Sequence, residues 1–122
     1  MKNKLKKVSL LTLLKVLIRL RKNLRVVENG MEPTLYEGDV IVYRPLRGRL
    51  HLLREDQIVV FTVKPSFEIV GRIKSITSSG IEIIGDNEET STDSRTIEPE
   101  SVLGIVEALA SAKNGVWRSH RF

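Results

Sequence analysis

Gln57-Ile58-Val59-Val60-Phe61-Thr62-Val63 is a β-branched run of strand length that stops at Lys64-Pro65. Working outward, Glu68-Ile69-Val70-Gly71-Arg72-Ile73-Lys74-Ser75-Ile76 follows and ends at Ser78-Ser79-Gly80. Ile81-Glu82-Ile83-Ile84 then runs into Gly85-Asp86-Asn87, and Val102-Leu103-Gly104-Ile105-Val106 closes the series. Upstream, Val40-Ile41-Val42-Tyr43 follows the turn signal Glu37-Gly38-Asp39. Short apolar runs separated by Gly, Pro, Asp and Asn predict an antiparallel, mainly β domain. The segment from Ile76 to Ile81 reads as a hairpin, with Gly80 offering the positive φ that such turns need. The stretch 44–54 mixes five Arg or His residues with Leu46, Leu50, Leu52 and Leu53, and is expected to connect strands or leave the sheet.

The chain has 122 residues, 41% of them apolar and 29% charged, which suits one small domain with a collapsed core. It has no cysteine, which excludes a disulfide framework, a thiolate zinc site and a cysteine nucleophile. The net charge of +5 is unevenly placed. Residues 1–25 hold nine Lys/Arg and no acid, while residues 26–122 hold eleven Lys/Arg against fifteen Asp/Glu. An acidic body therefore follows a basic arm.

The arm, residues 1–25, reads as an amphipathic helix. Thr12, Lys15, Arg19 and Lys22 form a polar stripe, and Leu10, Leu13, Leu14, Leu17 and Ile18 cover the opposite side. The apolar run 8–18 is interrupted by Lys15 and is shorter than the roughly 20 residues needed to cross a bilayer. A cationic stripe beside a Leu-rich face suits an anionic membrane interface. A secretory signal is a second reading, but no small-x-small cleavage site follows. A helix packed on the body or on a partner is a third. Nucleic-acid binding is disfavoured, because the arm lacks stacking aromatics and a helix-turn-helix partner. A peripheral membrane or cytoplasmic location is expected. The basic tail, residues 111–122, holds Trp117 among cations and reads as a second interfacial anchor or a frayed end.

Four pieces in order carry a resemblance. They are Asn29-Gly30-Met31-Glu32-Pro33-Thr34-Leu35, then Gly38-Asp39 before a hydrophobic strand, then Gly71-Arg72-Ile73, then Gly85-Asp86-Asn87 with Ser91, Asp93, Ser94 and Arg95 before Leu103-Gly104. The pattern resembles the type I signal peptidases and their LexA-type relatives, serine endopeptidases with a Ser/Lys dyad. That family has Ser-Met-x-Pro-Thr-Leu, Gly-Asp, Lys-Arg before an aliphatic residue, and Gly-Asp-Asn with Ser-x-Asp-Ser-Arg. The likeness covers about residues 26–107 and implies the family's antiparallel β-fold for residues 26–110. At the nucleophile position stands Gly30, at the general-base position Gly71, and Glu28 replaces a family glycine.

A serine hydroxyl needs an adjacent base, and an apolar setting lowers a lysine pKa enough for that task. Glycine supplies neither group. Lys74 lies an odd step from Gly71, on the other face of a regular strand, so a bulge would be needed to bring it round. Lys64 sits at a strand end, and His51 and His120 fit neither slot. The resemblance therefore implies a non-catalytic homologue that keeps a cleft for an extended peptide or precursor, alone or beside an active homologue. Two alternatives stay open: an active endopeptidase for a signal or maturation segment, like the small nickel superoxide dismutase maturation proteases, and a LexA-like DNA-associated regulator.

The same residues have plainer readings. Met31, Pro33 and Thr34 suit a simple turn. The acidic loop around Asp86 and Asp93 lacks calcium-loop spacing, so no metal and no cofactor is expected. The resemblance implies that Asp93 and Arg95 pair to hold the cleft wall. Arg72 reads as a paired or surface arginine.

Overall fold

The computed structural model describes residues 20–64, 67–90, 94–113 and 116–122, with the backbone course alone for 111–113 and 116–121. Among the described residues, eight strands form one antiparallel sheet: β1 (Lys22–Arg25), β2 (Val40–Pro45), β3 (Ile58–Lys64), β4 (Phe67–Thr77), β5 (Gly80–Ile84), β6 (Arg95–Ile97), β7 (Val102–Lys113) and β8 (Val116–Arg121). Their order is β1-β2-β7-β3-β4-β5-β6, with β8 paired to β7. The long β7 has β2 along one edge, and its other edge passes from β3 near Val102–Ile105 to β8 from Ala108 onward.

Ile58–Phe61 of the opening run is apolar without a break because this part of β3 is covered on both faces. Ile58 and Val60 enter one core with Val26, Met31, Leu35, Ile41, Tyr43 and Val106. Val59 and Phe61 enter a second with Leu46, Leu53, Ile73, Ile81, Ile83 and Val102. Alternate residues of a strand point to opposite faces, so an unbroken apolar run is what two cores require. The 44–54 stretch serves the second core, with a 3₁₀ turn at Leu50–Leu52 and with Leu46 and Leu53 buried.

The helix expected over residues 1–25 falls outside the described residues through residue 19, and its last part is corrected. Lys22–Arg25 is strand β1, in register with Tyr43 through Val40. Pairing with the otherwise open edge of β2 decides this, and Leu24 also packs against the first core. A helical stripe read from Lys22 alone carries no information about that edge. The proposed boundary at residue 110 falls inside β7, which continues to Lys113 and is joined by β8. The side chain of Trp117 lies outside what is described. The Ile76–Ile81 hairpin forms as expected, with Gly80 at φ +141 opposite Thr77.

The connection from β1 to β2 is a built turn. Val26 N–H donates to the Asp39 carbonyl at 2.7 Å, and Gly38 N–H returns to the Val26 carbonyl at 2.7 Å. The Asp39 carboxylate is buried and accepts from Tyr36 N–H at 2.9 Å. Gly38 takes φ +93, which a side chain would oppose. Met31 and Leu35 are buried in the first core, so the Met-x-Pro-Thr-Leu segment is anchored by its two ends. The Glu32–Pro33 peptide between them is cis.

Candidate cleft at Gly30 and Gly71

The candidate site lies where this turn meets the middle of the sheet. Asp86, just after β5, is its hub. Arg72 on β4 donates through Nε to Asp86 Oδ1 and through Nη2 to Oδ2, both at 2.8 Å. Its remaining Nη1 donates to the Asp56 carbonyl at 2.7 Å. Thr34 Oγ1 donates to Asp86 Oδ2 at 2.5 Å. A fork of two parallel charge-assisted bonds fixes both position and orientation. The Arg72 hydrogen bonds hold the Asp86 carboxyl below its ordinary pKa against the opposing effect of burial, and Thr34 adds to the lowering. The same bonds raise the Arg72 pKa.

Asn87 completes the clamp. Its N–H donates to the Gly30 carbonyl at 2.9 Å and its side-chain amide donates to the Asn29 carbonyl at 2.8 Å. Thus Gly85-Asp86-Asn87 binds both the Asn29–Gly30 peptide and Thr34, and ties them to β4 through Arg72.

Gly30 and Gly71 line one cleft of about 820 Å³. Phe61, Ile69, Val70 and Ile83 are among its apolar lining residues, and the exposed side chains Glu28, Glu37, Lys64 and Arg95 contribute charge. Thr90 is the one hydroxyl among the described lining residues. The two glycines differ. A Cβ at Gly30 would meet no heavy atom within 4 Å beyond its two chain neighbours. At Gly71 it would collide with Ile83 Cγ2 and lie 3.1 Å from Phe61 Cε1.

The edge of β4 beside this cleft is open. β3 pairs with Phe67–Arg72, whereas β5 pairs only with Arg72–Thr77. Phe67–Gly71 therefore has no partner strand on the β5 side among the described residues. Ile69, Val70 and Gly71 from this length line the cleft.

Of the residues singled out in sequence, Gly30, Gly71 and Gly85 line the cleft, and Thr34, Arg72, Asp86 and Asn87 form the clamp. Met31, Gly38 and Asp39 build the turn. Arg95 is exposed and lines the cleft. Ser91 and Asp93 lie outside the described residues, so the Asp93–Arg95 pair does too. Ser94 acts elsewhere: its hydroxyl, with those of Ser75 and the amine of Lys74, lowers the Glu82 pKa. A register shift does occur between Ile73 and Ser75, yet Lys74 lies 3.4 Å from Glu82 and does not line the cleft. Lys64, Phe67 and Thr90 were not marked as site residues by motif. The alternation of β3 and the Pro65 stop point to Lys64 as a strand-end residue, but only the pairing of Lys64 with Phe67 sets it beside the cleft.

Among the described residues no group of His, Asp and Glu is placed to hold a metal ion, and no helix is long and apolar enough to cross a membrane. No protein-family model matches the chain, and no curated protein matches it.

Proposed function

We propose that the chain is a non-catalytic member of the signal-peptidase and LexA-type group that holds an extended peptide segment in this cleft. The carrying observation is that Gly30 and Gly71, far apart in sequence, line one cleft beside an unpaired strand edge. An open edge offers a row of backbone donors and acceptors to an added strand. With no hydroxyl at residue 30 and no amine at residue 71, the segment is bound and released intact. The scaffold motifs support the same reading: they place Thr34, Arg72, Asp86 and Asn87 as a clamp around the two glycines.

Among the described residues, the hydroxyl and the amine that line the cleft are those of Thr90 and Lys64. Neither has the required partner: no hydrogen bond joins them among the described contacts, and a hydroxyl without a base is a weak nucleophile.

The test is a titration with a fluorescent, extended, apolar heptapeptide, read by amide hydrogen exchange and by mass spectrometry of the peptide. Saturable binding with added protection at Phe67–Gly71 and an intact peptide is expected. Protection confined to other strands would remove the cleft assignment. Cleavage that stops in Thr90→Ala would overturn the non-catalytic assignment.

The basic arm supports docking at an anionic membrane surface. The full chain is expected to co-sediment with vesicles rich in phosphatidylserine and not with neutral ones. Equal behaviour toward both would remove this role.

A further inference from the structure

We infer that the arginine-rich excursion between β2 and β3, residues 44–54, is a second contact for an anionic membrane, one that lays the folded body against the lipid phosphates beside the basic arm. The inference rests on the docking role given to the arm above and extends it to the body.

The excursion displays its charge from a fixed frame. Its leucines face inward: Leu46 and Leu53 are buried in the second core, and Leu50 and Leu52 pack against it. Leu46 N–H donates to the Leu103 carbonyl at 2.8 Å. At the other end the Gln57 side chain accepts from Arg54 N–H at 2.8 Å and donates to the Leu52 carbonyl at 3.1 Å. Arg47, Arg49, His51 and Arg54 are exposed, and Arg44 is half-buried. Arg49 donates through Nε and Nη2 to the carbonyls of Leu46 and Pro45, both at 3.2 Å. Arg54 donates through Nη1 to those of His51 and Leu53. Carbonyls hold these two guanidiniums in place without cancelling their charge, so less side-chain freedom is left to lose on binding.

The charge is concentrated and unpaired. Within residues 26–110, four of the eight Lys/Arg fall in these eleven residues, and all four are Arg. Arg72 and Lys74 are paired with Asp86 and Glu82, whereas none of the four is paired with an acid among the described residues. Glu55 and Asp56 follow directly and offset part of the charge. Planar guanidinium forks match the oxygens of a phosphate.

Placement and composition favour a membrane as the occupant. Lys22 of β1 pairs with Tyr43 of β2, so the arm enters the sheet beside the point where the excursion leaves it. Arm and excursion together hold thirteen Lys/Arg and no acid, of which Arg21 is paired with Glu107. The arm's Leu-rich side suits a bilayer, and neither segment has a Phe, Tyr or Trp on which nucleic-acid bases would stack. None of residues 44–54 lines the cleft, so this contact and peptide binding use different side chains.

The test is a titration of the full chain with phosphatidylserine-rich and with neutral phosphatidylcholine vesicles, beside the variant Arg47→Asn/Arg49→Gln/Arg54→Gln. Asn is chosen at residue 47 because the backbone there is left-handed, at φ +50. One Lys/Arg near an anionic surface is worth about fivefold in affinity. The variant is therefore expected to bind the anionic vesicles at least about tenfold more weakly than the native chain. Amide exchange of the native chain is expected to slow at residues 46–54 on those vesicles. If circular dichroism shows that the triple variant does not fold, Arg47→Asn alone is expected to weaken binding about threefold or more. Equal binding of variant and native chain overturns the contact and leaves the arm's role standing. So does protection confined to Val63 and Phe67, the exposed apolar residues beside the cleft. Tighter binding to a DNA duplex than to the vesicles, lost in the same variant, overturns it in favour of nucleic acid. Failure of the native chain to prefer the anionic vesicles removes the arm's role and the excursion's together.

Discussion

Gly71→Lys is expected to lower stability by about 2–4 kcal/mol and to restore no peptidase activity, even combined with Gly30→Ser. The reason is steric before it is chemical. The first atom of any side chain at residue 71 collides with Ile83 Cγ2 and crowds Phe61. Both neighbours are buried, and Ile83 is β-branched on a paired strand, so neither can swing aside freely. A lysine there must also bring an amine into hydrocarbon. Gly30→Ser, in open space, is expected to shift stability by no more than about 0.5 kcal/mol.

A double-mutant cycle isolates the collision. Ile83→Ala removes the offending methyl and alone costs about 2–4 kcal/mol. In that background Gly71→Ala is expected to cost at least about 1 kcal/mol less than in the native chain, measured by urea unfolding. Additive costs would show that Ile83 is not what closes residue 71. Restoring a dyad thus needs three changes, Gly30→Ser, Gly71→Lys and Ile83→Ala, where the motif alone suggests two.

The second large effect is at Asp86. Asp86→Ala is expected to destabilise the fold by about 2–3 kcal/mol, because it leaves the Arg72 guanidinium without its acid and the Thr34 hydroxyl without its acceptor. The pair is under a third exposed, 29% for Arg72 and 16% for Asp86, so solvent screening reduces the loss only in part. The pH dependence has a definite sign. The folded carboxyl lies below its ordinary value, so its contribution is complete above the unfolded pKa of about 4 and is lost as pH falls through the folded value. Urea midpoints taken from pH 7 down to pH 2.5 should therefore converge between the native chain and Asp86→Asn. Glu82 titrates in the same direction, which is why the comparison is made against the variant and not against neutral pH alone. A gap that stays constant with pH would show that the Arg72 pair does not contribute through ionisation.

Five strands were legible from periodicity and turn residues because their side chains face cores: β2, β3, β4, β5 and the start of β7. β6, Arg95–Ile97, carries two exposed residues and no apolar alternation, so only its register against Ile81–Ile83 defines it. β1 was hidden inside a helical pattern, since a four-residue edge strand takes its conformation from the partner it pairs with. The choice of ion-pair partner was equally closed to inspection. Arg72 is on β4 and Asp86 lies in the loop just after β5, and Thr34 joins Asp86 from 52 residues away.

The residues by themselves determined what the cleft lacks: glycine at 30 and 71 carries no hydroxyl and no amine in any fold. They also determined the run of alternating and two-faced strands, since burial on one face or two leaves its mark residue by residue. Only the tertiary structure decided that the two glycines are unlike. Whether a missing side chain leaves room depends on what neighbouring strands put there. Ile83 and Phe61 fill the room at Gly71, while nothing reaches the room at Gly30.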